Sequence, residues 1–226
     1  MKKSLKGLVI LLIVILFAFS FLAMSKEYAK SYVRQSVKEE IIKESDSEDM
    51  TYEVPAGNFL AITGEEDGGD DGVLDSWIRI AGYVSGNTGK TEKLHMIGRL
   101  KIPSLSIDEP VWKENSALAM RYGVILMDDK AGLGSEGNAV IVGHRNTVTH
   151  TVFDKLPKIK KGDTAIVITP DGEEQRYRVN GTYYCSPYEL QNYVGSSSEY
   201  PVMITLVTCA REKGNSWRFI ATLIPE

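Results

Sequence analysis

Short apolar runs separated by turn residues fill the chain from residue 97 to its end, and this pattern limits the fold more than any other feature. Apolar, β-branched runs bounded by Gly, Pro, Asn or Asp are typical of strands. The predicted strands are Ile97–Ile102, Ile107–Trp112, Val124–Met127, Ala139–Val142, Thr164–Thr169, Glu174–Cys185, Val202–Thr208 and Arg218–Ile224. Helical turns are predicted at Ser116–Arg121 and at Val152–Leu156, the second stopped by Pro157. The pattern therefore predicts an all-β fold: an antiparallel-rich barrel, closed or nearly closed, with short helices.

The first residues predict a membrane anchor. Lysines at positions 2, 3 and 6 precede the uncharged stretch Gly7–Met24, which is long enough to cross about 30 Å of hydrocarbon as a helix. The positive-inside rule places these lysines in the cytoplasm and the rest of the chain outside. The alternative is a cleaved signal peptide, although the apolar core of such peptides is usually shorter. We therefore predict a cytoplasmic tail at 1–6 and a retained transmembrane helix at 7–24.

Residues 25–72 predict a helical stalk followed by a flexible acidic linker. Apolar residues recur at helical spacing from Tyr28 to Ile42, whereas the acidic stretches 45–50 and 64–72 cannot bury enough apolar surface to order themselves. A short amphipathic helix is predicted within 73–96, a helical segment that packs on the barrel. The barrel domain then occupies residues 97–226.

Composition argues against two classes of protein. The net charge is −4 and the longest basic run is short, Lys158-Ile159-Lys160-Lys161, so nothing predicts a nucleic-acid partner. The chain has 2 cysteines, Cys185 and Cys209, which are too few for a fold that depends on disulfides. Cys185 lies in an aromatic strand and is predicted to be a packed free thiol that does not pair with Cys209.

Three strand ends carry residues that together suit acyl transfer. Cys209 follows the run Ile204–Thr208, Arg218 begins the next strand, and His144 follows Val140–Val142. A cysteine thiolate is a nucleophile, a histidine can accept and return a proton, and an arginine can bind a developing oxyanion. Each residue alone also has a structural interpretation, as a buried thiol, a surface-exposed histidine or an arginine whose stem covers apolar surface. An active site is predicted if the three strand ends meet.

Three motifs resemble those of one family. Thr205-Leu206-Val207-Thr208-Cys209 resembles the Thr-Leu-x-Thr-Cys signature of the sortases, membrane-tethered cysteine transpeptidases of Gram-positive bacteria. Val142-Gly143-His144-Arg145 is similar to their Gly-His segment, and Arg218-Phe219-Ile220-Ala221 is similar to the strand that carries their arginine. The order of histidine, cysteine and arginine along the chain also agrees. The resemblance covers residues 97–224 and implies a closed eight-stranded sortase-type barrel.

The resemblance also implies a two-step reaction with His144, Cys209 and Arg218 as catalytic residues. Cys209 would cleave an LPXTG-like sorting signal of a secreted protein between Thr and Gly and hold the acyl group as a thioester. A peptidoglycan amine or a pilin lysine would then accept that group. His144 would be the general acid and base, Arg218 would bind the carbonyl oxygen, and Thr208 would shape the substrate pocket. Such an enzyme would be a single-pass protein of the cell membrane with its catalytic domain outside.

The class within the family and the need for a metal stay open. Segment Ser186–Pro201 is too short for the class with a long insertion before the cysteine strand, and Asp75-Ser76-Trp77 only partly matches the lid of pilin-building sortases. We expect a class A-like or class D-like enzyme, with class C still open. No cofactor is expected. Calcium at Asp128, Asp129 and Glu136 is the alternative, with few oxygen ligands for that ion.

Two other functions fit the same residues. A cysteine hydrolase would use water in place of the amine, but papain-like enzymes place cysteine before histidine in the chain, and here His144 comes first. A membrane-tethered β-barrel that binds a partner or a wall polymer would need no reactive thiol. The hydrolase predicts cleavage that added amine does not change, and the binding protein predicts that Cys209→Ala leaves function intact.

Overall fold

The computed structural model describes residues 2–44, 50–56, 91–127, 131–146, 151–195, 199–214 and 217–226. The helices are α1 (Lys2–Glu44), α2 (Ala117–Tyr122) and α3 (Gln191–Val194). The strands are β1 (Thr51–Pro55), β2 (Thr91–Ile102), β3 (Ile107–Trp112), β4 (Val124–Leu126), β5 (Gly137–Val142), β6 (Arg145–Asn146), β7 (Thr151–Val152), β8 (Thr164–Ile168), β9 (Glu174–Cys185), β10 (Val202–Cys209) and β11 (Arg218–Pro225). Over the residues described, none of the helices is both long and apolar enough to cross a membrane.

Eight of the described strands close into a barrel. Each strand pairs with the next in the order β2, β3, β4, β5, β10, β11, β9, β8, and β8 pairs back onto β2. The β3–β4 and β5–β10 pairs are parallel, and the other pairs of the ring are antiparallel. Strand β1 lies outside the ring and pairs with the first half of β2. The predicted all-β barrel, closed and eight-stranded with short helices, is therefore confirmed.

Alternation along β10 separates the barrel interior from its outer face. Ile204 and Leu206 lie in the main apolar core, together with Phe219 and Ala221 of the neighbouring strand β11. Because successive strand residues point to opposite faces, the odd-numbered residues of β10 project outward. Cys209, the last of them, therefore lies on the outer face at the end of the strand.

Helix α1 packs on the outside of the barrel through a second apolar core. Val33, Val37 and Ile41 recur every four residues and so share one face of the helix. They are at most 5% exposed and belong to the same cluster as Trp112 and Tyr122. Full burial of one such aliphatic side chain contributes roughly 1.5–3 kcal/mol. The C-terminal part of α1 is thus an integral part of the folded domain.

A buried group of charges fixes the position of α1 on the barrel. Arg34 Nη2 donates to Glu109 Oε2, and Lys38 Nζ donates to Glu109 Oε1, both at 3.1 Å. Arg34 Nε also donates to the carbonyl of Arg121 at 2.8 Å. Because Glu109 is 4% exposed, its carboxylate depends on these two cations for the stabilisation that water would otherwise give.

The predicted flexible linker is wrong over part of its length. Residues 51–55 form β1, whose partners in β2 run from Thr91 to His95. Strand β2 accordingly begins at Thr91, before the predicted start at Ile97. The sequence did not predict this strand, because it is short, lies between acidic stretches and becomes stable only when it pairs with β2. The helical segment predicted at 73–96 is wrong at residues 91–96, which belong to β2, and residues 73–90 lie outside the described residues.

The predicted helical turn at Val152–Leu156 is also displaced. Val152 belongs to β7, and the 3-10 turn lies at Leu156–Lys158 with Pro157 inside it. Proline is favoured at the first positions of a helical turn, since the N–H that it lacks has no partner there. Pro157 therefore begins a turn and does not end one.

Candidate active site

Cys209 and Arg218 lie directly opposite each other on adjacent antiparallel strands. The β10–β11 register pairs them. The next pair towards the turn is Ala210 and Trp217, in which the N–H of Ala210 donates to the carbonyl of Trp217 at 2.9 Å. Because hydrogen-bonded and non-hydrogen-bonded pairs alternate, the Cys209–Arg218 pair is of the non-hydrogen-bonded kind, in which side chains are closest. Both residues are partly exposed. The predicted juxtaposition of thiol and guanidinium is therefore present.

The parallel strand β5 brings His144 to the same end of the sheet. Val142 pairs with Val207, and the N–H of Gly143 donates to Val207 O at 3.1 Å. His144 follows Val142 by two residues, as Cys209 follows Val207, so the two residues come at corresponding positions just beyond the last pair of the ladder. The structure thus pairs Cys209 with Arg218 and brings the segment of His144 to the neighbouring strand end, while the catalytic roles of the three residues stay predictions.

Two contacts hold the main chain around His144. Thr208 Oγ1 donates to the carbonyl of Gly143 at 2.8 Å, and the N–H of Phe153 donates to the carbonyl of His144 at 3.0 Å. A Cβ on Gly143 would lie 2.6 Å from the Phe153 ring, so only glycine allows this approach. Thr208 is 2% exposed and points away from the face of Cys209. Its hydroxyl positions the histidine segment, and the role predicted for it in substrate binding stays a prediction.

Arg145 also joins the site, which the sequence did not predict. Its Nη1 donates to the carbonyl of Cys209 at 3.3 Å and forms an ion pair with Glu212. Tyr184 Oη donates to the other oxygen of that carboxylate at 2.9 Å, and Lys213 Nζ lies 5.6 Å from the centre of the Tyr184 ring. The only sequence signal was the position of Arg145 next to His144, and nothing pointed to a contact with a residue 67 positions away.

The Glu212 carboxylate is held in its charged form. Burial raises its pKa, but the hydrogen bonds from Arg145, from its own backbone and from Tyr184 lower it by more, so that the pKa lies below the usual 4.5. The side chain is 38% exposed, so the ion pair with Arg145 is partly screened by water. At neutral pH this carboxylate is a fixed negative charge in the loop that follows Cys209.

The loop between β9 and β10 covers the outer face next to the site. Asn138 Nδ2 donates to the carbonyls of Tyr193 and Gly195, each at 3.0 Å. Thr205 Oγ1 donates to Asn138 Oδ1 at 2.9 Å, within a network that is buried. The middle of β10 is therefore covered, whereas the end of the strand at Cys209 stays accessible.

Arg218 lies between the two cysteines, with Cys209 opposite it on β10 and Cys185 opposite it on β9. It pairs with Arg218 from the β9 side, is 1% exposed, and is a free thiol, as is Cys209. Burial raises the pKa of Cys185, the charge of Glu189 adds to the rise, and Arg218 opposes it. Two strand spacings of about 4.8 Å separate the cysteines, beyond the reach of a disulfide. The prediction of a packed free thiol is confirmed.

No metal site is found among the residues that the structure describes. They contain no group of three or more His, Cys, Asp or Glu residues able to hold an ion. Of the three residues weighed for calcium, Asp128 and Asp129 lie outside the described residues and only Glu136 lies within them. The alternative of a calcium site therefore stays a prediction.

Comparison with known proteins finds relatives of the barrel domain. A family model described as the sortase domain matches residues 100–223. Sortase A of Bacillus anthracis is 30% identical over 131 residues, which are 57% of this chain and 59% of that protein. Sortase A of Listeria monocytogenes is 25% identical over 130 residues, 58% of this chain and 56% of that protein. The chain thus matches less than two thirds of the length of either relative.

The solved structures give the same fold. A sortase C of Streptococcus pneumoniae, studied for its catalysis and pilin substrate specificity, superposes with a TM-score of 0.52 at 26% identity, over 58% of this chain and 66% of that one. The closed eight-stranded barrel is the sortase fold, and the matched residues include all three strand ends of the site. The chain belongs to the sortase family.

Proposed function

We propose that this protein is a membrane-anchored cysteine transpeptidase that joins secreted proteins to an amine at the cell surface. One observation supports the proposal most: Cys209 pairs with Arg218, and His144 follows strand β5, which pairs with the cysteine strand, so the three residues belong to neighbouring strand ends. A general acid and base, a nucleophile and an oxyanion donor on adjacent strand ends suit acyl transfer. Membership of the sortase family supports the same reaction.

In the first step the substrate is cut and the enzyme is acylated. The thiol proton of Cys209 passes to His144, and Sγ attacks the carbonyl carbon of the Thr–Gly bond. Arg218 stabilises the negative charge that develops on the carbonyl oxygen. The C–N bond then breaks, and His144 returns the proton to the departing glycine nitrogen. The products are a thioester between Cys209 and threonine and a released C-terminal peptide.

In the second step an amine takes the acyl group. The amine nitrogen attacks the thioester carbonyl, and His144 accepts the proton that the nitrogen loses. As the C–S bond breaks, the Cys209 thiolate leaves and recovers its proton from His144. One amide bond has replaced another, so the reaction needs no cofactor and no energy source.

The substrate class and the acceptor are inferred by resemblance. The donor is a secreted protein with an LPXTG-like C-terminal sorting signal, and the acceptor is a peptidoglycan amine or a pilin lysine. The pneumococcal sortase C among the structural neighbours, studied for its pilin substrate specificity, supports a pilin as one of the substrates. Both are uncharged amines when they attack, so the site described here serves either of them.

The cell membrane is the proposed location. This part rests on sequence alone, on the lysines at positions 2, 3 and 6 and the uncharged stretch Gly7–Met24. A membrane-impermeant maleimide added to protoplasts should label Cys209 from outside. Labelling only after lysis would place the domain on the cytoplasmic side and contradict the proposal.

The decisive experiment uses the full chain in detergent with a sorting-signal peptide, with and without an added amine. Mass spectrometry should show a thioester on Cys209 and a product in which threonine is joined to the amine. Cys209→Ala should abolish both, whereas Cys185→Ala, which removes the buried thiol, should retain them. Hydrolysis at a rate that amine does not change would identify a hydrolase. Peptide binding without cleavage would identify a binding protein.

A further inference from the structure

We propose that Arg145 is a positioning residue of this site, whose side chain fixes the register between His144 and Cys209. The inference rests on the proposed transpeptidase function. It concerns a residue that touches neither the thiol nor the expected substrate carbonyl, and that acts through the main chain of the nucleophile. We call the group formed by Arg145, Glu212 and Tyr184 the clasp.

The parallel ladder between β5 and β10 ends just before the catalytic pair. Its last backbone bond runs from the N–H of Gly143 to the carbonyl of Val207. In a parallel ladder the next bond on this side would run from the N–H of Arg145 to the carbonyl of Cys209, two residues further on each strand. Instead, the Arg145 side chain donates to that carbonyl at 3.3 Å. The guanidinium therefore takes the place of the missing backbone bond.

His144 therefore lies between two hydrogen bonds that join its segment to β10. On one side of it, Gly143 is bonded to Val207 through the backbone, and on the other side Arg145 is bonded to Cys209 through its side chain. The backbone of β6 itself pairs elsewhere, Arg145 with Val152. Without the side-chain link, β6 and the end of β10 would be free to separate immediately beyond His144. The distance between general acid and nucleophile then depends on Arg145.

The clasp also explains why the guanidinium stays in place. Its ion-pair partner Glu212 lies in the loop after Cys209, and Tyr184 Oη donates to the second oxygen of that carboxylate at 2.9 Å. The Arg145 side chain is only 13% exposed, although the Glu212 side of the ion pair is 38% exposed and partly screened by water. The clasp thereby ties three segments together: the histidine strand end, the cysteine loop and strand β9.

Substitutions in the clasp test the proposal in the full chain. The variants are Arg145→Ala, Arg145→Lys and Glu212→Gln, with Arg176→Ala as a matched control that removes the Arg176–Glu226 ion pair, whose Nε–Oε2 distance is 3.0 Å. Each variant is measured in three ways. These are kcat and KM with peptide and amine, the rate of Cys209 alkylation by iodoacetamide as a function of pH, and the melting temperature.

A positioning role predicts a specific pattern. Arg145→Ala should lower kcat about 10- to 100-fold with KM within about twofold, because misplacement of a reacting group by about 1 Å costs this much. Cys209 should be alkylated more slowly than in the wild type, since a displaced histidine no longer accepts the thiol proton. Arg145→Lys should recover part of kcat, Glu212→Gln should show a smaller loss of the same kind, and Arg176→Ala should match the wild type.

Two results would overturn the proposal. One is a wild-type kcat and alkylation profile in Arg145→Ala. The other is a loss of kcat in Arg145→Ala that its fraction of unfolded protein explains completely, while Glu212→Gln behaves as the wild type. If the wild type itself does not process the peptide, the proposed function fails, and the alkylation profile alone then decides whether Arg145 positions Cys209.

Discussion

Arg34 of α1 and Glu109 of β3 form an ion pair whose side chains are only 9% and 5% exposed, with 3.1 Å between Nη2 and Oε2. Lys38 binds the other carboxylate oxygen at the same distance. Removal of one partner from a buried pair leaves a charge without compensation, whereas a pair near the surface contributes little. The contact between helix and barrel is therefore sensitive to a single carboxylate.

Glu109→Ala should lower the free energy of unfolding by about 3–5 kcal/mol, because Arg34 and Lys38 lose their common partner. Thermal unfolding of the full chain in detergent measures this. The neighbouring Asp108, which binds Arg99 at 2.5 Å and is 39% exposed, provides the control. Asp108→Ala should cost at most about 1 kcal/mol. Equal losses in the two variants would contradict the buried role of Glu109.

Loss of His144 or of Arg218 should remove turnover and leave the fold. His144→Ala should lower kcat about 10²- to 10⁴-fold, and Arg218→Ala about 10²- to 10³-fold. Neither change should cost more than about 1 kcal/mol of stability, since both residues are partly exposed at strand ends. Leu206→Ala, in the core, should cost about 2–5 kcal/mol. A comparable destabilisation in all three variants would make the two site residues structural.

Thr208→Val should reduce activity and stability together. The change keeps the shape of the side chain but leaves the buried carbonyl of Gly143 without the hydroxyl that lies 2.8 Å away, at a cost of about 1–3 kcal/mol. Thr208→Ser keeps the hydroxyl and is the matched control. If valine and serine gave the same kcat and the same melting temperature, the bond to the histidine segment would have no role.

Gly143→Ala should be destabilising by about 1–3 kcal/mol, because the added methyl group would lie 2.6 Å from the fully buried Phe153 ring. The cost should shrink when the ring is replaced by leucine, so a double-mutant cycle with Phe153→Leu should show coupling. Additive effects in that cycle would mean that the backbone at Gly143, and not the contact with the ring, requires glycine.

The clasp should contribute to stability in a pH-dependent way. The pKa of Glu212 is lowered in the folded protein, so the stabilisation that its charge brings is complete above the usual pKa of 4.5 and is lost as the pH falls through the lowered value. The difference in melting temperature between the wild type and Glu212→Gln should be constant near neutral pH and shrink below about pH 4.5. A difference that grows on acidification would reverse the assigned sign.

The sequence was sufficient for the barrel and for two of the three site residues. Alternation and turn residues predict the strands, and because β10 and β11 are consecutive, their turn brings Cys209 and Arg218 together without further information. His144 needed the family resemblance, since nothing in its own run shows that β5 pairs in parallel with β10. Which strands pair over such a distance in sequence depends on the whole fold and cannot be read from either strand alone.

The missed features share a physical cause. Strand β1, the docking of α1 and the bond between Arg145 and Glu212 are all contacts between segments far apart in the chain. The last two also depend on charged residues, because Arg34 binds Glu109 and Arg145 binds Glu212. Polar periodicity indicates exposure unless a partner is known. Arg34 was therefore indistinguishable from a solvated residue of a stalk, although it is 7% exposed.

Helix α1 runs without a break from Lys2 to Glu44, and its last third is locked onto the barrel by Val33, Val37 and Ile41. With the proposed anchor embedded, the rise from Met24 to Val33 is about 14 Å. The barrel would then be held by a rigid helix at a fixed height above the membrane. It could not move sideways as a domain on a flexible linker can. It would reach new substrates only by diffusion of the whole protein in the membrane.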